Sequence, residues 1–309
     1  MSPLSKTKKF LQSAIEIPKR RSDGDLVKDI HPYRKIMPYI MPGRNESACY
    51  YDDYVKAAPL LDYIDRARYE YAMDINVIHL LVAAGDRALK ENPKMNQFVS
   101  GSRLYRRNHR ALTFSMKRKK LDKEAKLAAV KLRMDDDNES FYDLCSRING
   151  SIRVERSTKK TSADQELDLF SLFPRPLMRQ AASVVRWLDD NNILPRPFME
   201  EDGFYTSMFI ANLGSLGMRP AFHHLYEYGN CPLFLMVGRI EERPVVENGR
   251  VIAQKTLHLR WTYDERIDDG LTSKYGMQTF RETLENPDRF LGELPELPAE
   301  DSRAIALQS

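Results

Sequence analysis

Residues 261–270 read WTYDERIDDG. An apolar, strand-like segment, KTLHLRWTYD (255–264), runs straight into this charged turn, and a helix-like stretch over roughly 269–284 follows it. Charge at the end of a strand is ordinary. The spacing is less so: two acids, an arginine, then an acid–glycine step three residues further on. Two other stretches decide what the turn retains and what it lacks. They are SMFIANLG (207–214) and PLFLMVGRI (232–240), both strand-like and both ending near glycine.

Working outward, DINVIHLLVAAGDRALKENP (74–93) has apolar residues at three- and four-residue steps, which predicts a helix with Asp74 as N-cap and Asn92-Pro93 as its end. APLLDYIDRARYEYA (58–72) and ESFYDLCSRINGSI (139–152) have helical spacing. PLMRQAASVVRWLDDNNILP (176–195) reads as an amphipathic helix ended by Pro195. QFVSG (97–101), RLYRR (103–107) and ALTFSMKRK (111–119) read as strands, the last alternating apolar and polar positions. AKLAAVKLRM (125–134) fits strand or helix. IMPYIMPGRNESACYYDDYV (36–55) reads as short extended pieces and 159–166 as loop. Helices and strands mix without strict βαβ alternation. The fold class expected is α+β, a two-layer sandwich in which helices cover a mixed β-sheet. Residues 1–30 read as a basic extension, 31–291 as one domain and 292–309 as a tail.

Composition excludes several classes. A net charge of +4 is mild for a nucleic-acid binder, although KTKK (6–9), KRR (19–21), RLYRRNHR (103–110) and KRKK (117–120) cluster basic residues. Cys49, Cys145 and Cys231 form no CxxC pair, which argues for a reducing, cytoplasmic setting and against a zinc site. No apolar run approaches the length of a membrane span. No histidine spacing matches a metal site. His79 reads as a core residue on a helix, His258 as a strand residue, and His31 and His109 as loop residues.

The order DINVIHLLVAAGDRALKENPKMNQFVSGSRLYRRNHRALTFSMK, then SMFIANLGSLG, then PLFLMVGRIEERPVVENGRVIAQKTLHLRWTYDERIDDG resembles the catalytic domain of dihydrolipoamide acyltransferases of 2-oxo acid dehydrogenase complexes. The resemblance runs from about Met37 to Leu291 and implies the coenzyme A-dependent acyltransferase fold, shared with chloramphenicol acetyltransferase. It further implies a homotrimer with sites at subunit interfaces and coenzyme A as acyl donor or product. In that family a histidine in Asp-His-Arg-x-x-Asp-Gly is the general base, and a Ser before Asn-Leu-Gly donates to the tetrahedral oxyanion. Here Asp264, Arg266, Asp269 and Gly270 fit the first pattern, but Glu265 stands at the histidine's place and Ala211 at the serine's. The frame remains and both chemical residues are replaced.

Candidates to restore the chemistry are His223 and His224, in PAFHHLYEYGN (220–230), which are expected on opposite faces of an extended segment. One would serve as base with Glu265 and Asp269 positioning it, while Tyr226 or Tyr228 replaces the lost hydroxyl donor. Ser215 and Arg266 are further candidate substrate contacts, Ser215 also reading simply as a turn residue, and Arg44 is placed to hold an anionic group. The reaction expected is transfer of an acyl group from a thioester to a thiol, hydroxyl or amine. With no lipoyl-bearing segment in this sequence, the donor expected is a free acyl-coenzyme A or a separate carrier protein. The alternative is a non-catalytic descendant serving assembly or regulation.

Overall fold

A computed structural model describes residues 21–118, 127–157 and 174–292. Residues 1–20 of the basic extension, the loop expected over 159–166 and the tail from residue 293 lie outside these.

The elements run β1 (Gly24–Leu26), α1 (Pro32–Ile40), β2 (Ala48–Lys56), α2 (Ala57–Tyr69), α3 (Val77–Glu91), β3 (Gln97–Ser100), β4 (Arg103–Arg107), β5 (Ala111–Lys117), β6 (Leu127–Arg133), α4 (Phe141–Arg156), α5 (Arg175–Asp190), α6 (Arg196–Glu201), β7 (Met208–Asn212), β8 (Leu233–Glu247), β9 (Arg250–Asp264), α7 (Gly270–Glu285) and α8 (Pro287–Leu291). Six strands form one mixed sheet in the order β2-β9-β8-β7-β5-β6, and β1-β4-β3 form a smaller one. β7 pairs parallel with both β5 and β8, while the outer pairs are antiparallel. This is the expected α+β sandwich.

Strand alternation sorts the sheet's two faces. Met208 and Ile210 point into the main core with Leu112, Leu235, Leu259 and Trp261, under helices α2, α3 and α7. Trp261 meets Phe280 of α7 edge-on at 4.9 Å. Phe209 and Ala211 point to the opposite face, in a smaller cluster with Leu225, Cys231, Phe234 and Met236. That second face carries the candidate site.

Several local expectations change. Residues 36–40, expected to be extended, belong to α1, because Pro32 sits at its first turn, where a missing N–H is harmless, and Pro38 costs only one backbone bond near its end. α3 is capped by Asn76, not Asp74: Asn76 Oδ1 accepts from the Ile78 N–H at 3.1 Å, and His79 Nδ1 accepts from the Asn76 N–H at 3.1 Å. His79 is therefore core and cap together, and its Nε2–H donates to Asn149. α5 stops at Asp190, before a left-handed Asn192, and Pro195 caps the next helix instead. The ambiguous 127–133 is a strand, paired with β5 and alternating exposed and buried positions. β8 and β9 extend far past their expected ends as a two-stranded arm turning at Asn248-Gly249, both at positive φ.

Residues 21–26, grouped with the extension on their polarity, are built into the fold. β1 pairs with β4, and the buried Arg21 guanidinium binds Asp23 at 2.8 Å, Asp189 at 2.6 Å and the Ser100 hydroxyl at 2.8 Å. Burial pushes the Asp23 carboxyl up, but Arg21 and Arg107 beside it outweigh this and hold it below the usual carboxylate range.

Candidate active site

β9 ends at Asp264, and the turn after it is held by ion pairing. Arg266 Nε and Nη2 bond the two oxygens of Asp264 at 2.8 and 2.7 Å, and its Nη1 donates to the carbonyls of Met41 and Pro42. Both side chains are buried, so each charge needs the other. Asp269 caps α7, its carboxylate accepting from the Thr272 N–H at 3.0 Å. That bond, against a small opposing effect of burial, holds the Asp269 carboxyl below its ordinary range. Arg266, expected to touch substrate, and Asp269, expected to position a base, are thus occupied with shaping the turn. Their partners are Asp264, two carbonyls and Thr272, because a buried guanidinium and an open helix N-terminus each demand them.

Glu265 is only half-buried. Its backbone is fixed by Ser47 and Arg34, the N–H donating to the Ser47 carbonyl and the carbonyl accepting from Arg34 Nη1. Its carboxylate accepts from the Cys49 thiol at 3.6 Å. Burial, then the Glu265 charge, push that thiol up, which disfavours the thiolate a nucleophile would need. No hydrogen bond or ion pair joins Glu265 to His223 or His224 among the described residues, and its carboxylate faces Cys49 instead. Sequence reading missed Cys49 as its partner.

The Leu-Gly turn after β7 presses on β8. A Cβ at Gly214 would collide with the Gly238 carbonyl, so only glycine fits there. Ser215 closes the turn within itself, its hydroxyl donating to the Asn212 carbonyl at 2.8 Å and its N–H to Asn212 Oδ1 at 3.2 Å. It shapes the turn, and its hydroxyl is committed there rather than offered to a substrate. Ala211 stands beside Ser115 of β5 and Met236 of β8 on the second face.

The histidine pair lies on that same face, but not as expected. Residues 221–226 form no strand, so period-two alternation does not apply. The two rings stack on one side at 4.7 Å, and His223 also stacks on Phe234 at 3.9 Å. The segment is tied to the sheet by Thr262, whose hydroxyl donates to the His223 carbonyl at 2.7 Å. His223 Nδ1 lies 2.6 Å from the His224 carbonyl. A carbonyl only accepts, so Nδ1 carries the proton and Nε2 the lone pair. Burial lowers the His223 pKa against that hydrogen bond, which keeps the ring neutral near pH 7. His224 is exposed. Tyr226 sits 5.5 Å from the His223 ring and 5.0 Å from His224. Tyr228 is turned away, its hydroxyl donating to Asp202 at 2.6 Å. Arg44 is buried, bonding the Tyr226 and Glu227 carbonyls.

Residues 199–292 match the family of 2-oxoacid dehydrogenases acyltransferase (catalytic domain), the part that holds both replaced positions. The probable dihydrolipoamide acetyltransferase of Listeria monocytogenes superposes with a TM-score of 0.58 over 88% of this chain and 99% of that one, at 16% identity. This is the coenzyme A-dependent acyltransferase fold. Azotobacter vinelandii dihydrolipoamide acetyltransferase shares the fold with a TM-score of 0.56 over 86% of this chain and 95% of that one, at 16% identity. Chloramphenicol acetyltransferase does so with a TM-score of 0.50 over 84% and 99%, at 10% identity. In sequence, the dihydrolipoyllysine-residue acetyltransferase component of the Staphylococcus aureus pyruvate dehydrogenase complex is 32% identical over 87 residues, which is 27% of this chain and 19% of that protein. The match thus spans about a fifth of that relative's length. No group of three or more possible metal ligands occurs among the described residues.

Proposed function

We propose that this chain transfers an acyl group from a thioester, acyl-coenzyme A or a carrier-bound equivalent, to a thiol, hydroxyl or amine, with His223 as the general base. The observation that carries this is the state of His223. Burial disfavours its protonation, its tautomer is fixed by the His224 carbonyl, and Nε2 has no hydrogen-bond partner among the described residues. It also shares a sheet face with Ala211, the position where the fold's relatives donate to the oxyanion.

In the step, the acceptor's proton passes to Nε2 as its sulfur, oxygen or nitrogen attacks the thioester carbonyl. The tetrahedral intermediate collapses, the carbon–sulfur bond breaks, and the thiolate of coenzyme A takes the proton back from Nε2. Tyr226 is the phenol beside the pair and the candidate oxyanion donor. A homotrimer and a cytoplasmic setting fit the fold's relatives and the three free cysteines. The His224 carbonyl, not Glu265, orients His223 through Nδ1.

A second reading is a non-catalytic assembly subunit. It is favoured by Ala211 and by the engagement of the Glu265 carboxylate with a protonated thiol.

Coenzyme A release from a panel of acyl-coenzyme A thioesters, with thiol, alcohol and amine acceptors, tests both readings. His223→Ala is expected to cost on the order of 100-fold or more in kcat, and His224→Ala little. In wild type the acid limb of the rate falls below about pH 6.5, because burial lowers the His223 pKa from that ordinary value. Turnover unchanged in His223→Ala removes this base, and no turnover with any donor selects the non-catalytic reading.

A further inference from the structure

α5 lies N-terminal to the residues matched by the acyltransferase family and carries a surface the acyl-transfer reading leaves unused. Of its 16 residues only Asp189 is buried. Val185 and Leu188 pack on the small cluster of Leu194, Met199 and Tyr205, and this fastens one side of the helix. The rest of its apolar character faces outward: Trp187 is 59% exposed, Val184 54% and Leu177 45%.

At about 100° per residue, Leu177, Val184 and Trp187 fall within an arc of about 80°, and Arg175, Arg179 and Arg186 within about 40°. Between Arg175 and Leu188 there is no carboxylate. An exposed helix with an apolar arc ending on a tryptophan, beside a stripe of arginines, has the composition of a helix lying in a lipid–water interface.

We infer that α5 lies on an anionic lipid surface, with Leu177, Val184 and Trp187 entering the headgroup region and the three arginines meeting lipid phosphates. The inference is independent of the acyl-transfer reading, since α5 shares no residue with the His223 site.

The chain reports on this itself. It has two tryptophans, and Trp261 is buried in the core with 1% exposure, so a change in emission on adding lipid comes from Trp187. The full chain is titrated with vesicles of phosphatidylcholine alone and of phosphatidylcholine mixed with phosphatidylglycerol, reading emission and co-sedimentation. Three arginines near a charged surface give a preference on the order of a hundredfold for the anionic vesicles, falling steeply with added salt. A blue shift on anionic vesicles only, absent in Trp187→Phe although that variant still co-sediments, supports the inference. Arg179→Gln/Arg186→Gln is expected to weaken binding by at least tenfold with an unchanged circular dichroism spectrum.

Equal binding to neutral vesicles overturns it, as does no binding to either. It is also overturned if Trp187 is already shielded from acrylamide without lipid and becomes accessible on dilution, which assigns the face to a second copy. Shielding that persists on dilution assigns it to the chain's own covering and overturns the inference as well.

Discussion

Replacing Arg266 with methionine distinguishes a turn kept for folding from one kept for chemistry. Arg266 makes two bonds to Asp264, and its third nitrogen satisfies the Met41 and Pro42 carbonyls. Side-chain exposure is 3% for Arg266 and 1% for Asp264. Methionine fills much of the volume but leaves a buried carboxylate without its directly paired cation, with only the charge of Arg44 nearby, and two carbonyls without a donor. Removing one partner of a buried pair costs about 3–5 kcal/mol, roughly a fifth or more of a typical domain's stability of about 5–15 kcal/mol. Urea unfolding followed by Trp261 fluorescence is expected to show this as a lower midpoint at unchanged slope. Asp264→Asn/Arg266→Met is expected to lose less than the two single costs added, because the orphaned charge goes too. Glu265→Gln, by contrast, disturbs one long thiol hydrogen bond at a half-exposed position and is expected to stay within about 0.5 kcal/mol of wild type. An Arg266→Met cost below about 1 kcal/mol, or a Glu265→Gln cost equal to it, refutes the claim that the retained pattern is structural.

Two further outcomes follow from the same reasoning. Asp269→Ala removes the N-cap of α7 and is expected to cost about 1 kcal/mol by thermal unfolding at pH 7; because the folded carboxyl lies below its ordinary value, that contribution is present above about pH 4 and is lost as pH falls through the folded value. Asp23→Ala leaves Arg21 and Arg107 buried with less counter-charge and is expected to cost about 3–5 kcal/mol, with the proteolytic sensitivity of the β1–β4 pair rising in parallel.

The fold was readable where a pattern is local. β5 alternates apolar and polar residues, β7 is a short apolar run, α3 repeats at three and four residues, and glycine follows Asn-Leu where a side chain would meet β8. It was unreadable where a tertiary contact decides. Asn76 rather than Asp74 caps α3 because His79 reaches back to complete the pair, and that choice shows only in side-chain geometry. Arg21 was grouped with a polar leader, but its partners Ser100 and Asp189 lie 79 and 168 residues away. The β8–β9 arm is different: Asn248-Gly249 is a strong short hairpin signal and stood in the sequence, flanked by the β-branched Val246 and Val251.

The site divides the same way. That Glu265 replaces a histidine and Ala211 a serine is visible from the pattern alone, because a pattern records which residue type is missing. What the replacements do is not visible. Glu265 meets Cys49 across 216 residues of chain, and that contact takes up its carboxylate with a thiol it makes less acidic. The histidine pair shows the converse. Its position beside the turn was legible, but extended alternation would have sent one ring into the site and one away. An irregular segment held by Thr262 stacks His223 against Phe234 and His224 on His223 instead, and leaves His223 alone with the half-buried, tautomer-fixed state that a base requires. The chemistry therefore depends on backbone irregularity at 221–226. A variant that regularised this segment would be expected to lose the Nδ1 bond, and with it the directed Nε2 lone pair, before it lost the fold.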